Sequence, residues 1–151
     1  MGTAAKPELR REFDLPEEDE DYLNARGLPW ETAVLVEQGA RGLWLFVHAF
    51  PLRAGYALAN DPESKPVATT TLGIRLTGYP GGALDMAYFH PPLKRVDGRP
   101  IPNLGVLMID EKSFQQWSRH YTPSNPFRVD VDNIGTHLGL VEEWLEREFR
   151  R

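Results

Sequence analysis

The sequence predicts an α+β domain in which helices at the two ends of the chain flank an antiparallel sheet. Between about residues 31 and 89, four segments rich in β-branched, aromatic and aliphatic residues follow one another. Short connections between consecutive strands favour an antiparallel meander. Helical patterns lie only before and after these strands, a segregation typical of the α+β class.

Length, charge and residue usage exclude several function classes. The 151 residues fit one domain, and their net charge of -5 argues against a general nucleic-acid binder, which needs basic patches. The chain has no cysteine, which excludes disulfides, thiolate metal sites and a thiol nucleophile. No metal-ligand spacing or cofactor motif is present. The start lacks an apolar signal region and no run approaches the roughly 20 apolar residues of a membrane span, so we expect no membrane association and a bacterial cytoplasmic location.

The N-terminal region predicts a lead-in and one acidic helix. Residues 1–14 are mixed and charged, and we expect them to be a disordered lead-in to a single domain over residues 15–151. Seven acidic residues lie between Glu12 and Asp21, a pattern typical of the solvated first turns of a helix. Pro16 fits the first helical position and Gly27 the helix end. The alternative interpretation is an acidic docking surface for a basic partner.

The four strands are predicted over residues 31–37, 42–50, 67–76 and 84–89. His48 lies inside the second strand, where we expect a histidine that is satisfied by neighbours in the sheet. Residues 57–66 are polar and predict an exposed loop. The fourth strand stops at His90-Pro91-Pro92, because two prolines in succession remove two hydrogen-bond donors.

The second half predicts a long irregular loop, a short helix and a long helix. Residues 94–105 have no usable period, and residues 106–109 predict a short buried run. Asp110 or Ser113 is expected to cap a brief helix that ends at Trp117 or Arg119. Asp132 or Asn133 is expected to cap the last helix, whose apolar residues recur every three or four positions at Ile134, Leu138, Val141, Trp144, Leu145 and Phe149.

Candidate site residues lie at the edges of the long loop. His120 has the chemistry of a base and Ser118 that of a hydroxyl nucleophile, provided that a base lies within hydrogen-bond reach. His90 is a second catalytic candidate; the alternative is a ring that hydrogen-bonds a loop carbonyl and fixes the turn. Trp117, Arg119 and Asp97 are candidate binding residues. The structural alternative for Arg119 and His120 is a helix end whose carbonyls they neutralise, and for Asp97 a tight turn with Gly98.

Several motifs in this order resemble the ubiquitin-conjugating enzyme fold: Tyr79-Pro80 before the fourth strand, His90-Pro91 after it, and Trp117-Ser118. Over about residues 15–149 the chain is closer still to a bacterial branch of that superfamily, the prokaryotic ubiquitin-conjugating-like family. The most specific segment of that similarity is Phe114-Gln115-x-Trp117-Ser118-Arg119-His120. The resemblance implies a ubiquitin-like protein and its activating enzyme as partners, and a role tied to antiphage defence.

The chain departs from that superfamily at its reactive position. Ordinary members carry a cysteine about ten residues after the motif histidine, which counts to residues 100–103 here, and no cysteine is present. Acyl transfer through a thioester needs a thiolate. We therefore consider three hypotheses. The first is a protein that binds the ubiquitin-like partner or its activating enzyme without a thioester. The second is a carrier that forms an oxyester on Ser118 with help from His120, and the third is a purely structural adaptor. Convergence of His90, Ser118, Arg119 and His120 on one groove would favour the first two hypotheses, whereas burial of Arg119 and His120 against backbone carbonyls would favour the third.

Overall fold

The computed structural model describes residues 8–150 and confirms the α+β class. In this part of the chain, two helices accompany eight strands. The helices are α1 (Glu17–Ala25) and α2 (Ile134–Arg147), and a 3₁₀ turn over Glu148–Arg150 follows α2. The strands are β1 (Trp30–Glu37), β2 (Ala40–Pro51), β3 (Tyr56–Leu58), β4 (Thr69–Arg75), β5 (Ala87–His90), β6 (Leu93–Arg95), β7 (Leu104–Ile109) and β8 (Lys112–Trp117).

Six strands form one sheet in the order β1-β2-β4-β5-β8-β7, and β3 pairs with β6 in a separate two-stranded sheet. The four predicted strands are β1, β2, β4 and β5, and each is antiparallel to its neighbour. The predicted element order is otherwise wrong, because β3 and β6 form within the segments predicted as loops. The sheet also continues beyond β5 through β8 to β7.

The predicted short helix is wrong, because residues 104–117 form a hairpin. Asp110 and Glu111 connect its strands, and both have positive φ values, 54° and 64°. Two central residues with positive φ define the tight turn whose twist matches that of paired strands. The prediction of a buried run over residues 106–109 is also wrong: Val106 and Met108 are 66% and 70% exposed, and only Ile109 is buried. The reason is that β7 is the edge strand of the sheet.

Both helices pack on one face of the sheet and enclose the main core. The apolar stripe of α2 is buried there as its periodicity predicted, and the side chain of Asn133 caps the helix by accepting from the backbone N–H of Thr136. In α1, which starts one residue after Pro16, Leu23 is fully buried. A smaller cluster covers the opposite face of the curled sheet: Ala33, Trp44, Phe46, Tyr88, Ile109 and Phe114.

Residues 10–12, within the predicted lead-in, lie along the edge of β1. Residues 1–7 of that lead-in lie outside the described part of the chain, so its disorder stays a prediction. The backbone N–H of Thr32 donates to the carbonyl of Arg10 at 2.9 Å, and that of Glu12 donates back to Thr32 at 3.2 Å. The Arg10 side chain then joins Glu31 on β1 to Asp110 in the β7–β8 turn. This segment therefore covers one edge of the sheet. No helix within residues 8–150 is long and apolar enough to cross a membrane.

Candidate functional site

The pairing of β5 with β8 separates the candidate residues into two groups. Ala87 lies opposite Trp117 at one end of the pair, and Phe89 lies opposite Gln115 towards the other. His90 continues from that second end, and its ring Nδ1 is 2.8 Å from the carbonyl oxygen of Ser113. Ser113 and Ser118 are five positions apart, about 17 Å along an extended strand. The structure therefore does not bring His90 together with Ser118, Arg119 and His120.

The ring of His90 forms a hydrogen bond with a carbonyl oxygen, as the structural alternative to a catalytic role predicted. That carbonyl belongs to strand β8 rather than to a loop, and the ring also packs 5.2 Å from that of Phe114. Both contacts direct the imidazole towards the sheet. His90 thus fixes the end of β5 against β8.

Trp117 is fully buried in the core, and its assignment as a binding residue stays a prediction. Its ring packs edge-on to Phe89 at 5.2 Å, and its Nε1 donates to Oε1 of Gln115 at 2.8 Å. Gln115 in turn accepts from the backbone N–H of Leu93 at 3.1 Å and donates to the Leu93 carbonyl at 2.9 Å. This buried amide ties β6 to β8 and positions Trp117. Sequence reasoning did not single out Gln115, which appears only inside the similarity segment.

Ser118 follows β8 directly and is half-buried. Its hydroxyl oxygen accepts from Nε2 of Gln116 at 3.3 Å, and its backbone N–H donates to the carbonyl of Asn103 at 3.2 Å. No hydrogen bond joins Ser118 to His120 in the described residues. The proximity that a serine nucleophile requires from its base is therefore not present in this conformation.

His120 pairs with an acidic residue that the sequence did not identify as a candidate. Its Nδ1 lies 2.6 Å from Oδ2 of Asp85, and the side chains are 58% and 44% exposed. Oδ1 of Asp85 also accepts a long hydrogen bond from the backbone N–H of Tyr121. A carboxylate at Nδ1 orients the ring and leaves Nε2 for another partner. Asp85 was present only in the similarity segment Leu84-Asp85-Met86, which was the available signal.

A shallow apolar pocket of about 410 Å³ adjoins this pair. Asp85 lies on its rim, and its walls come from Leu84 and from the segment after His120, including Tyr121, Pro123 and Phe127. The exposed pair and the apolar walls together form the candidate site.

Arg119 is committed to the interior. Its Nη2 lies 2.9 Å from Oε1 of Glu148, and the two side chains are only 11% and 2% exposed. The guanidinium also lies 5.0 Å from the ring of Trp117. The expectation that Arg119 and His120 neutralise a helix end is wrong, because β8 is a strand. Arg119 instead connects the end of β8 to the turn that follows α2. Its assignment as a binding residue stays a prediction.

Asp97 forms the predicted turn with Gly98, whose φ is +79°. Nε and Nη2 of Arg95 donate to its two carboxylate oxygens at 3.0 and 2.6 Å, and the backbone N–H of Arg99 donates to it at 3.0 Å. The hydrogen bonds from Arg95, followed by that from Arg99, lower the pKa of Asp97. Because Asp97 remains exposed, its assignment as a binding residue stays a prediction.

The other two histidines are structural. His48 is satisfied within the sheet as predicted, with Nε2 2.8 Å from Glu31 and Nδ1 3.0 Å from Thr71. His137 on α2 is fully buried; its Nε2 lies 2.8 Å from the carbonyl oxygen of Met86 and its Nδ1 3.0 Å from the hydroxyl of Tyr121. Burial lowers the pKa of His137.

The acidic N-terminal helix is not wholly solvated, because Asp19 points inward. It accepts from the hydroxyl of Tyr79 at 2.6 Å and from the first backbone N–H of α2, that of Ile134, at 3.2 Å. Burial raises the pKa of Asp19 despite these hydrogen bonds. The Tyr79 of the similarity motif therefore joins α1 to α2. Within residues 8–150, no group of three or more His, Asp or Glu side chains is arranged to hold a metal ion.

Comparison with known protein families matches residues 15–148 to the family described as Prokaryotic E2 family E. No curated protein and no solved structure matches the chain.

Proposed function

The chain belongs to prokaryotic E2 family E, and we propose that it acts in a bacterial ubiquitin-like conjugation pathway by binding a ubiquitin-like protein, its activating enzyme or both without forming a thioester. One observation carries this proposal: the family match spans residues 15–148, yet the chain contains no cysteine. A thioester requires a thiolate sulfur, whereas protein recognition does not. The scaffold thus offers surfaces for partners without the usual acyl carrier.

The candidate residues do not converge on one groove, so their arrangement argues against shared chemistry, and the binding proposal rests on the family match and the missing cysteine. His90, Ser118 and Arg119 each make hydrogen bonds within the domain, and they occupy two separated ends of the β5–β8 pair. Surfaces around this region remain open. They include the pocket beside Asp85 and a second pocket of about 310 Å³ lined by Pro100 and Pro102, in the segment where ordinary ubiquitin-conjugating enzymes carry their cysteine.

The test is a titration of the isotope-labelled chain with a ubiquitin-like protein and an activating enzyme from the same bacterium. We expect saturable shifts of backbone amide signals with either partner. A ubiquitin-like protein from an unrelated system serves as the control and is expected to cause no shifts. Lack of association with both proteins, in the titration and in a pull-down, would contradict the proposal.

A second candidate function is an oxyester carrier, and the Asp85–His120 pair is the observation that favours it. A carboxylate-oriented imidazole two positions from a serine hydroxyl is a potential base, although reaching Ser118 requires movement of the side chains. An alkoxide is a poorer leaving group than a thiolate, so such a site needs more assistance to the oxyanion and leaving group. The reconstituted cascade would be examined by intact mass for a hydroxylamine-sensitive adduct.

The adduct should disappear in Ser118→Ala and persist in the matched variant Ser124→Ala, whose serine lies in the exposed loop after His120. An adduct that survives in Ser118→Ala would exclude this residue as the carrier. Absence of any adduct in the natural sequence, together with partner binding, would leave the non-covalent function as the better account.

A further inference from the structure

A pocket of about 550 Å³ lies between the end of β1 and strand β7, and we call it the β7 pocket. Its charged lining residues are Glu37 and Arg75, and Nη2 of Arg75 donates to Oε1 of Glu37 at 3.1 Å. Its apolar lining residues are Val36, Leu107, Met108 and Ile109. The β7 pocket therefore combines apolar walls with a single ion pair.

A buried hydrogen-bond donor without a partner lies next to this ion pair. The indole Nε1 of Trp44 is buried and makes no hydrogen bond. The guanidinium of Arg75 lies 5.0 Å from the ring of Trp44. A Cβ added to Gly42 would clash with Oε2 of Glu37 and would lie 3.4 Å from Nε1 of Trp44, so the carboxylate and the indole nitrogen adjoin the same glycine. The side chain of Glu37 thus separates the indole N–H from the β7 pocket.

The unpartnered indole N–H distinguishes this pocket from a similar one on α2. Buried donors in native proteins almost always have a partner, and an exception calls for a specific explanation such as a bound group. No other buried side-chain N–H within residues 8–150 lacks a partner. The comparable pocket, of about 520 Å³, also contains an ion pair, in which Nε of Arg53 donates to Glu146 at 2.8 Å, but it adjoins no such donor.

The donors of the β7 pocket select a carboxylate. Arg75 has five N–H groups and forms one hydrogen bond, whereas neither oxygen of Glu37 accepts from the indole. A second carboxylate in the place of Glu37 has two oxygens, so it can accept from the guanidinium and from the indole N–H of Trp44 together. The exchange is easy, because Arg75 and Glu37 are 45% and 32% exposed and such exposed pairs are weak.

We propose that the β7 pocket binds an apolar carboxylic acid, whose carboxylate replaces Glu37 at Arg75 and accepts from the indole N–H of Trp44. The apolar part of the acid packs against Leu107 and Ile109, and a pocket of this volume suits a small ligand. A free acid and the C-terminal residue of a peptide offer the same chemistry. The inference does not depend on the proposed function, because the β7 pocket shares no residue with the pocket beside Asp85.

The experiment follows the indole N–H signals of the isotope-labelled full chain during titration with 3-phenylpropionate. The chain has four tryptophans, and Trp44→Phe identifies the signal of Trp44. That signal should move downfield, because a new hydrogen bond deshields the proton. The indoles of Trp30 and Trp117 already donate to side-chain oxygens and should not move. We expect a dissociation constant on the order of 1 mM for an acid of about ten non-hydrogen atoms.

Three comparisons test the chemistry of the ligand. The neutral 3-phenylpropanamide should bind at least about tenfold more weakly, because it lacks the charge that Arg75 recognises. An acetylated tripeptide that ends in phenylalanine is titrated with a free C-terminal carboxylate and with a C-terminal amide. Binding of the free acid alone identifies a small molecule as the source of the carboxylate, and tighter binding of the peptide carboxylate identifies a chain terminus.

Substitutions of the ion pair should have opposite effects. Arg75→Gln should weaken binding of 3-phenylpropionate at least about tenfold, because the charged partner is lost. Glu37→Gln should strengthen binding by about threefold, because the competing carboxylate is removed. Arg53→Gln is the matched control: Arg53 is also ion-paired and 36% exposed, but it lines the other pocket, so binding should not change. Circular dichroism should show these three variants folded.

An indole signal of Trp44 that does not move with either carboxylate at about 10 mM would overturn the proposal. Equal binding of 3-phenylpropionate and its amide would also overturn it, and so would weaker binding in Glu37→Gln. Loss of binding in Arg53→Gln, with normal binding in Arg75→Gln, would place the acid in the other pocket and overturn the assignment.

Discussion

Replacing His137 with glutamine should remove the part of the pH dependence of the unfolding free energy that comes from this buried histidine of α2. The imidazole is fully buried between Met86 and Tyr121. Nε2 faces a carbonyl oxygen, so it carries the proton, and Nδ1 accepts from the tyrosine hydroxyl. Protonation at Nδ1 would place a charge in the core, which is why burial lowers the pKa of His137 below its ordinary value of 6.5.

The sign of the effect follows from proton binding. Between the folded and unfolded pKa values the unfolded chain binds more protons, so the stabilisation is complete above about pH 6.5 and is lost as the pH falls. One pH unit below the unfolded pKa, at about pH 5.5, the loss is at most about 1.4 kcal/mol. In His137→Gln this contribution is absent. At pH 8 the variant should already be about 1–3 kcal/mol less stable, because a buried hydrogen bond is lost.

Urea unfolding followed by fluorescence at several pH values between 5.5 and 8 measures both quantities. The difference in unfolding free energy between the natural chain and His137→Gln should shrink towards acid pH. Val141→Ala is the matched control. It also removes a buried side chain of α2 but no titratable group, so it should lower the unfolding free energy by the same amount at every pH. Equal slopes for the natural chain and His137→Gln would refute the reasoning.

Two further substitutions test the buried polar contacts. Arg119→Met should lower the unfolding free energy by about 3 kcal/mol, because the buried carboxylate of Glu148 then loses its guanidinium partner. The control Arg128→Met replaces a side chain that is 64% exposed and should change the unfolding free energy by less than about 1 kcal/mol. Equal effects of the two substitutions would contradict the assigned burial of the Arg119–Glu148 pair. In the same urea assay, Tyr79→Phe should lower the unfolding free energy by about 1–3 kcal/mol, because Asp19 loses a 2.6 Å hydrogen bond. An unchanged unfolding midpoint would show that this contact does not stabilise the packing of α1 on α2.

Local signals predicted the elements whose structure is determined locally. The apolar period of α2 and its Asn133 cap lie within one segment, and so do the apolar runs of β1 and β2. The β7–β8 hairpin was missed for a physical reason. Its turn is formed by Asp110 and Glu111 with positive φ, whereas such turns usually contain glycine or asparagine. In addition, the three-residue spacing of Phe114 and Trp117 matches the period of a helix.

The candidate site was harder to predict because its contacts join distant parts of the chain. Asp85 and His120 are separated by 35 positions and meet only because β5 pairs with β8. The pairing also decides that Trp117 points into the core. Residue type indicated which side chains have useful chemistry, but strand register decided which of them meet, and no local pattern encodes that register.

The same register restricts what can replace the missing thiol. His90 and His120 lie near opposite ends of the β5–β8 pair, so one base cannot be assisted by the other. Only the Asp85–His120 end combines an exposed imidazole with an adjoining pocket, and hydroxyl chemistry would have to occur there. At the other end the ring of His90 is held by Ser113. His120→Ala should therefore abolish any hydroxylamine-sensitive adduct, and an adduct that forms as well in His120→Ala as in the natural chain would contradict this assignment.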